Sequence, residues 1–70
     1  MKIYFTAHAE YRIQKRKFLK EEVIDAVNFP DNTVKKHGKY YYQKKLSGGT
    51  IEVVAEKTEK NINIITLYWL

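Results

Sequence analysis

The chain has no cysteine, only one proline, three glycines and two histidines among its 70 residues. Without cysteine no disulfide can staple the fold and no thiolate can ligate a metal. The same absence fits a reducing compartment. His8 and His37 are the only imidazoles, and their spacing matches no metal motif, so neither a metal site nor a cofactor is expected. Apolar runs are too short to span a membrane, and the opening Met1 to Thr6 carries no signal-peptide core. The expectation is a soluble, cytoplasmic protein that does not engage a membrane. No linker, repeat or low-complexity tract interrupts the chain, so residues 1–70 read as a single domain. A chain of this length buries about 60–65% of the surface its unfolded form exposes, which leaves a thin stability margin.

What the chain does have is positive charge, unevenly placed. The net charge is +5; residues 1–45 hold 11 of the 13 Lys and Arg and five of the eight acids, giving +6 there and −1 in the remainder. Such a basic half suits a polyanion such as RNA, or an acidic protein partner, through long-range steering. Surplus lysine that only confers solubility is the plain alternative.

The segment Thr6 to Lys17 is the most informative. As a helix it stacks His8, Arg12 and Arg16 four residues apart, along a stripe that adjoins Ala9 and Ile13. Like charges at this spacing repel, so a compensating partner is expected: an acid on a neighbouring strand, or an anionic ligand such as phosphate. Thr6 is the expected N-cap, and helix 1 runs to about Lys15 or Arg16. Lys17-Phe18-Leu19 is the joint, although no glycine marks the helix end. A second helix covers Lys20 to Asn28, with Glu21 and Glu22 complementing its dipole and Leu19, Val23, Ala26 and Val27 forming its apolar stripe. Pro30, flanked by Asp31 and Asn32, ends it.

Beyond Asn32 the period changes to two. Thr33 to Lys36 is a short strand turned by His37-Gly38. Lys39 to Leu46 follows, with Tyr40, Tyr42, Lys44 and Leu46 on one face and Tyr41, Gln43 and Lys45 on the other. Ser47 to Thr50 signals a tight hairpin. Ile51 to Lys57 and Ile62 to Leu70 are the last strands. Strict alternation puts Ile62, Ile64, Thr66 and Tyr68 on one face of the last strand, and Asn63, Ile65, Leu67 and Trp69 on the other. Both faces are substantially apolar, which places it inside the sheet or beneath a partner. Lys2 to Phe5 reads as a short strand or an extended lead-in. The expected fold is α+β: two N-terminal helices packed on a three- to four-stranded antiparallel sheet.

The ordered combination of H-x-x-x-R-x-x-x-R (His8, Arg12, Arg16), L-K-E-E-V-I-D-A-V, N-F-P-D, Y-Y-Y-Q-K-K, G-G-T-I-E-V-V-A-E and I-I-T-L-Y-W-L resembles the prokaryotic family called domain of unknown function 4258, over almost the whole chain. That family is in turn distantly similar to the RelE/ParE/BrnT toxins of toxin–antitoxin pairs. The resemblance implies a RelE/ParE-like fold and a toxin or toxin-derived protein that interacts with RNA, with metal-independent ribonuclease chemistry. ParE-like members instead poison DNA gyrase, so the fold alone does not fix the chemistry. Where family members often carry Gly at the end of helix 1 and Ser or Thr before helix 2, this chain has Lys17 and Leu19.

RNA self-cleavage needs a base, an acid and cations for the extra phosphate charge. The catalytic candidates are His8, Tyr68 and Glu52. His8 is the preferred base, since its ordinary pKa lies near neutrality, and Tyr68 can donate a proton or stack a base. The nucleic-acid-binding candidates are Arg12 and Arg16 as phosphate clamps, Tyr42 for stacking, and Lys44. Each has a structural alternative. His8 can simply bond to the backbone. Arg12 and Arg16 can pair with Glu52 or Glu56 and tie helix to sheet. The tyrosine run can be core, and the lysines a solvated face. Three functional readings stay open: an RNA-acting toxin-like domain; a non-catalytic module that docks an acidic antitoxin-like protein or forms a homodimer; and a toxin fold kept for regulation.

Overall fold

The computed structural model describes all 70 residues. Its element order is β1 (Lys2–Phe5), α1 (Ala7–Arg16), α2 (Lys20–Asn28), β2 (Asn32–Lys36), β3 (Lys39–Leu46), β4 (Gly49–Lys57) and β5 (Asn61–Trp69). The strands form one five-stranded sheet in the order β1-β5-β4-β3-β2.

Both helices form where their periodicity places them. Thr6 caps α1, its hydroxyl accepting the Ala9 N–H at 3.1 Å, and donates to the Ile65 carbonyl at 3.0 Å, pinning the helix start to β5. Lys17 ends α1 in the left-handed region at φ 57, where its N–H turns back to the helix. A side chain there costs roughly 1–2 kcal/mol relative to the ordinary helical region, a cost glycine escapes. Leu19 offers α2 no capping side chain, but Glu22 Oε1 reaches back and accepts the Leu19 N–H at 2.9 Å.

The sheet departs from the expected three or four antiparallel strands. Lys2–Phe5 is an integral strand, and it runs parallel to β5, with Ile3 opposite Ile62 and Phe5 opposite Ile64. The sheet is therefore mixed, and the helices follow a strand. Alternation can mark Lys2 to Phe5 as extended, but it carries nothing about partner or direction. Its backbone groups need hydrogen-bond partners, and the pairing with β5 supplies them, bracketed by Lys2 N–H to the Lys60 carbonyl just before β5 and Thr6 N–H, just after β1, to the Ile64 carbonyl, both 3.1 Å. The connection from β1 to its parallel neighbour is the whole remainder of the fold.

The β2–β3 and β3–β4 hairpins have two-residue turns. His37 and Gly38 both take positive φ, 54 and 75, between the paired Lys36 and Lys39; Ser47-Gly48 joins Leu46 to Gly49. Such short turns lock register.

The core lies between the helices and one face of the sheet. Ala9, Ile13, Phe18, Val23, Ala26 and Val27 meet Tyr42, Ile51, Val53, Ala55, Ile62, Ile64 and Leu67. Phe18 and Trp69 rings approach to 4.5 Å. The register of β5 against β4 slips between Val54 and Ala55: Ala55 faces Ile64, Val54 faces Thr66, and Ile65 is left over as a bulge. This corrects the strict alternation expected of the last strand. Ile62, Ile64 and Leu67 all enter the core, because the extra residue shifts the pleat by one. Tyr68 is thereby turned to the face the helices leave open, opposite Glu52.

Candidate functional site

On that open face one row of cross-strand neighbours is polar from end to end. Asn32 on β2 pairs with Gln43 on β3, Gln43 with Glu52 on β4, and Glu52 with Tyr68 on β5. Asn32 Nδ2 donates to Gln43 Oε1 at 3.2 Å, and Gln43 Nε2 donates to Glu52 Oε1 at 2.7 Å. The Tyr68 hydroxyl donates to Glu52 Oε2. The two tight turns and the β5 bulge align these four residues; no local motif does.

Glu52 is only 9% exposed and is the one buried charged residue of the chain. No cation pairs with it: the two ion pairs, Lys20–Glu10 and Lys44–Asp25, lie elsewhere. Its charge rests on the Tyr68 and Gln43 donors, and hydrogen bonds to an ionised group are the stronger kind. The Tyr68 hydroxyl is pushed up to about 12, first by burial, then by its hydrogen bond to Glu52 and the nearby negative charge, with Arg12 opposing. Tyr68 therefore keeps its proton at neutral pH and acts as a donor. Arg12 is close enough for its charge to be felt at Tyr68, and its Nε donates to the Leu67 carbonyl at 3.2 Å. The terminal guanidinium nitrogens remain available to an anion.

The other candidates lie apart from this cluster. His8 sits in the first exposed turn of α1, its ring 6.4 Å from that of Tyr11, and no hydrogen bond ties it to the sheet. Arg16 is exposed and unpaired at the other end of the stripe. Of the compensation expected for the stripe, only Arg12 reaches the sheet, and its partner is a backbone carbonyl; Glu52 is engaged by Tyr68 and Gln43 instead. Tyr42 and Lys44 belong to the covered face. Tyr42 is a core residue whose hydroxyl is raised by burial and by Tyr40, which stacks on it at 6.0 Å. Lys44 donates to the Phe29 carbonyl at 2.8 Å.

Sequence reasoning missed Gln43, Asn32 and Tyr41 as members of the site. Tyr41, Gln43 and Glu52, with Val34, Lys36 and His37, line a hollow of about 420 Å³ on the open face. The signal for the bulge was present: apolar residues alternate up to Ile64, double at Ile64-Ile65, and resume one step out of phase at Leu67 and Trp69.

The profile of the family described as domain of unknown function (DUF4258) matches residues 5–69, so it includes α1, the polar row and the bulge. The chain belongs to that family. No curated protein and no solved structure matches it. No three His, Asp or Glu side chains of this DUF4258 domain converge as a metal cluster would require. No helix is long and apolar enough to cross a membrane.

Proposed function

We propose that this DUF4258 domain is a RelE/ParE-like, RNA-interacting protein, a toxin or toxin-derived domain, whose RNA site is the open sheet face beside α1. One observation carries the reading: Arg12 of α1 bonds the Leu67 carbonyl of β5, next to Tyr68, whose hydroxyl meets Glu52 of β4 on the face that has no helix packed on it. An RNA strand laid along this edge meets His8, Arg12 and Arg16 at four-residue intervals on α1, and Tyr68 on β5. The roles follow from the chemistry. Arg12 neutralises a phosphate with the nitrogens its carbonyl contact leaves free. Tyr68 gives its single hydroxyl proton to Glu52 in a hydrogen bond at rest, and donates to the phosphate or to a leaving oxygen on exchanging that bond for one to the substrate. Glu52 fixes the direction of the Tyr68 hydroxyl. His8, four residues from Arg12, is the base available to a bound 2′-hydroxyl. This arrangement gives the domain metal-independent ribonuclease potential.

A second reading has its own observation. All five residues of β2, an edge strand, are exposed. An open edge can accept an extended peptide as a further strand, as a non-catalytic module docking an acidic antitoxin-like protein, or a homodimer, would use it. Induced expression in a bacterial host, scored for growth arrest and messenger RNA cleavage, separates the two. The RNA-acting reading expects arrest that Arg12→Ala relieves. Unimpaired growth, with no RNA binding by the folded protein at low salt, would leave the docking module as the account.

A further inference from the structure

Building on the RNA reading, we infer that the hollow beside Glu52 is a base pocket for guanine in single-stranded RNA. The hollow is bounded by Val34 and Lys36 of β2, by His37, by Tyr41 and Gln43 of β3, and by Glu52 of β4. Its volume of about 420 Å³ lies within the range of small-ligand sites. Three features define the occupant. Tyr41 offers a half-buried ring on which a base can stack. Glu52 is a buried carboxylate without a cationic partner. Each of its oxygens already accepts one hydrogen bond, and an ionised carboxylate has about four acceptor positions, so both oxygens can take another. Lys36 on the rim supplies positive charge, and the His37 ring beside it a hydrogen-bonding group, for a phosphate attached to the base.

An occupant that stacks, donates to a carboxylate and carries an anion is a nucleotide with a donor edge. A bare cation or an arginine side chain would satisfy Glu52 but would face the Lys36 ammonium. Guanine is the base that presents two adjacent donors, N1–H and the N2 amine, to the two-oxygen fork of a carboxylate. Adenine sets a ring acceptor against the same oxygens, leaving a buried polar group opposed by a lone pair. Gln43 on Oε1 and Tyr68 on Oε2 hold Glu52 within the row, so the carboxylate that reads the base is the one that orients Tyr68.

The test compares fluorescence anisotropy of labelled pentaribonucleotides UUGUU and UUAUU with the full chain at low salt. UUGUU is expected to bind about tenfold tighter or more, within the range of a good bidentate base contact. Tyr41→Leu, at a half-buried site, should weaken both RNAs and keep their ratio. Lys36→Ala should weaken both and flatten the salt dependence. Glu52→Gln should abolish the ratio; if that variant does not fold, the wild-type ratio and Tyr41→Leu still decide. Equal binding of the two RNAs, or Tyr41→Leu without effect, overturns the pocket while the RNA reading stands. Absence of binding to either RNA by the folded protein overturns both.

Discussion

On the covered face of the sheet, Ile51, Val53, Ile64 and Leu67 are fully buried beneath α1 and α2. On the open face, one residue further along the same strands, Glu52 and Tyr68 face each other in a polar row that runs on through Gln43 to Asn32. Residues adjacent in sequence thus serve opposite ends. The first set provides burial, each fully buried branched side chain contributing about 1.5–3 kcal/mol. The second spends part of that margin on a buried carboxylate and its donors, a set that apolar residues could replace together with little loss. In so small a domain, a buried, unpaired charge held by two directed donors is better explained by what the face binds than by what it stabilises.

The comparison can be broken most forcefully at Leu67. Leu67→Ala should lower stability by about 2–5 kcal/mol in urea or thermal unfolding, as for other fully buried leucines. Val34→Ala, on the open face and 40% exposed, should stay within about 0.5 kcal/mol of wild type. Equal effects would mean that the two faces are not divided as described. Next in size, Glu52→Ala should cost about 1–3 kcal/mol, since it strands the Tyr68 and Gln43 donors, and should also erase the preference for UUGUU over UUAUU. A smaller change, of opposite sign, belongs to neither face: Lys17→Gly relieves the left-handed joint after α1, and should stabilise by about 1 kcal/mol while RNA affinity stays unchanged. Smallest is the pH dependence of the open face. The Tyr68 hydroxyl, raised to about 12 from an unfolded value of 10.0, contributes stability that is complete below pH 10 and is lost as pH climbs towards 12. Tyr68→Phe should flatten that decline in unfolding experiments between pH 9 and 11.5, leaving the slope due to Tyr42, which is also raised.

Much of this fold is legible in the sequence, and the rest fails for identifiable reasons. Ala7–Arg16, Lys20–Asn28 and the hairpin around Gly48 follow from capping, period and turn chemistry, all of which are local. The parallel pairing of β1 with β5 is not local: alternation in Lys2 to Phe5 says strand, and nothing in four residues says against what or in which direction. The bulge at Ile65 was readable only as an apolar doublet. Missing it exchanges the faces of one half of β5, setting Leu67 apart from Ile62 and Ile64. The candidate site was legible in part. Glu52, Tyr68 and Arg12 were named for their chemistry, and they do cluster. Tyr42 and Lys44 were named for the same reasons and lie on the covered face. Tyr40, Tyr42 and Leu46 of β3 pack with the core and Tyr41 and Gln43 line the hollow, but composition alone cannot say which side the helices take. Gln43 and Asn32 matter only through register, which the turns set at a distance.

The most direct test of the division between the faces is a two-dimensional amide NMR titration of the protein with a short single-stranded RNA at low salt. The account predicts shifts at Arg12, Tyr41, Gln43, Glu52 and Tyr68, with Val23, Val27, Tyr42 and Lys44 undisturbed. Shifts centred on α2 and the covered side of β3, or none at all under saturating RNA, would contradict it.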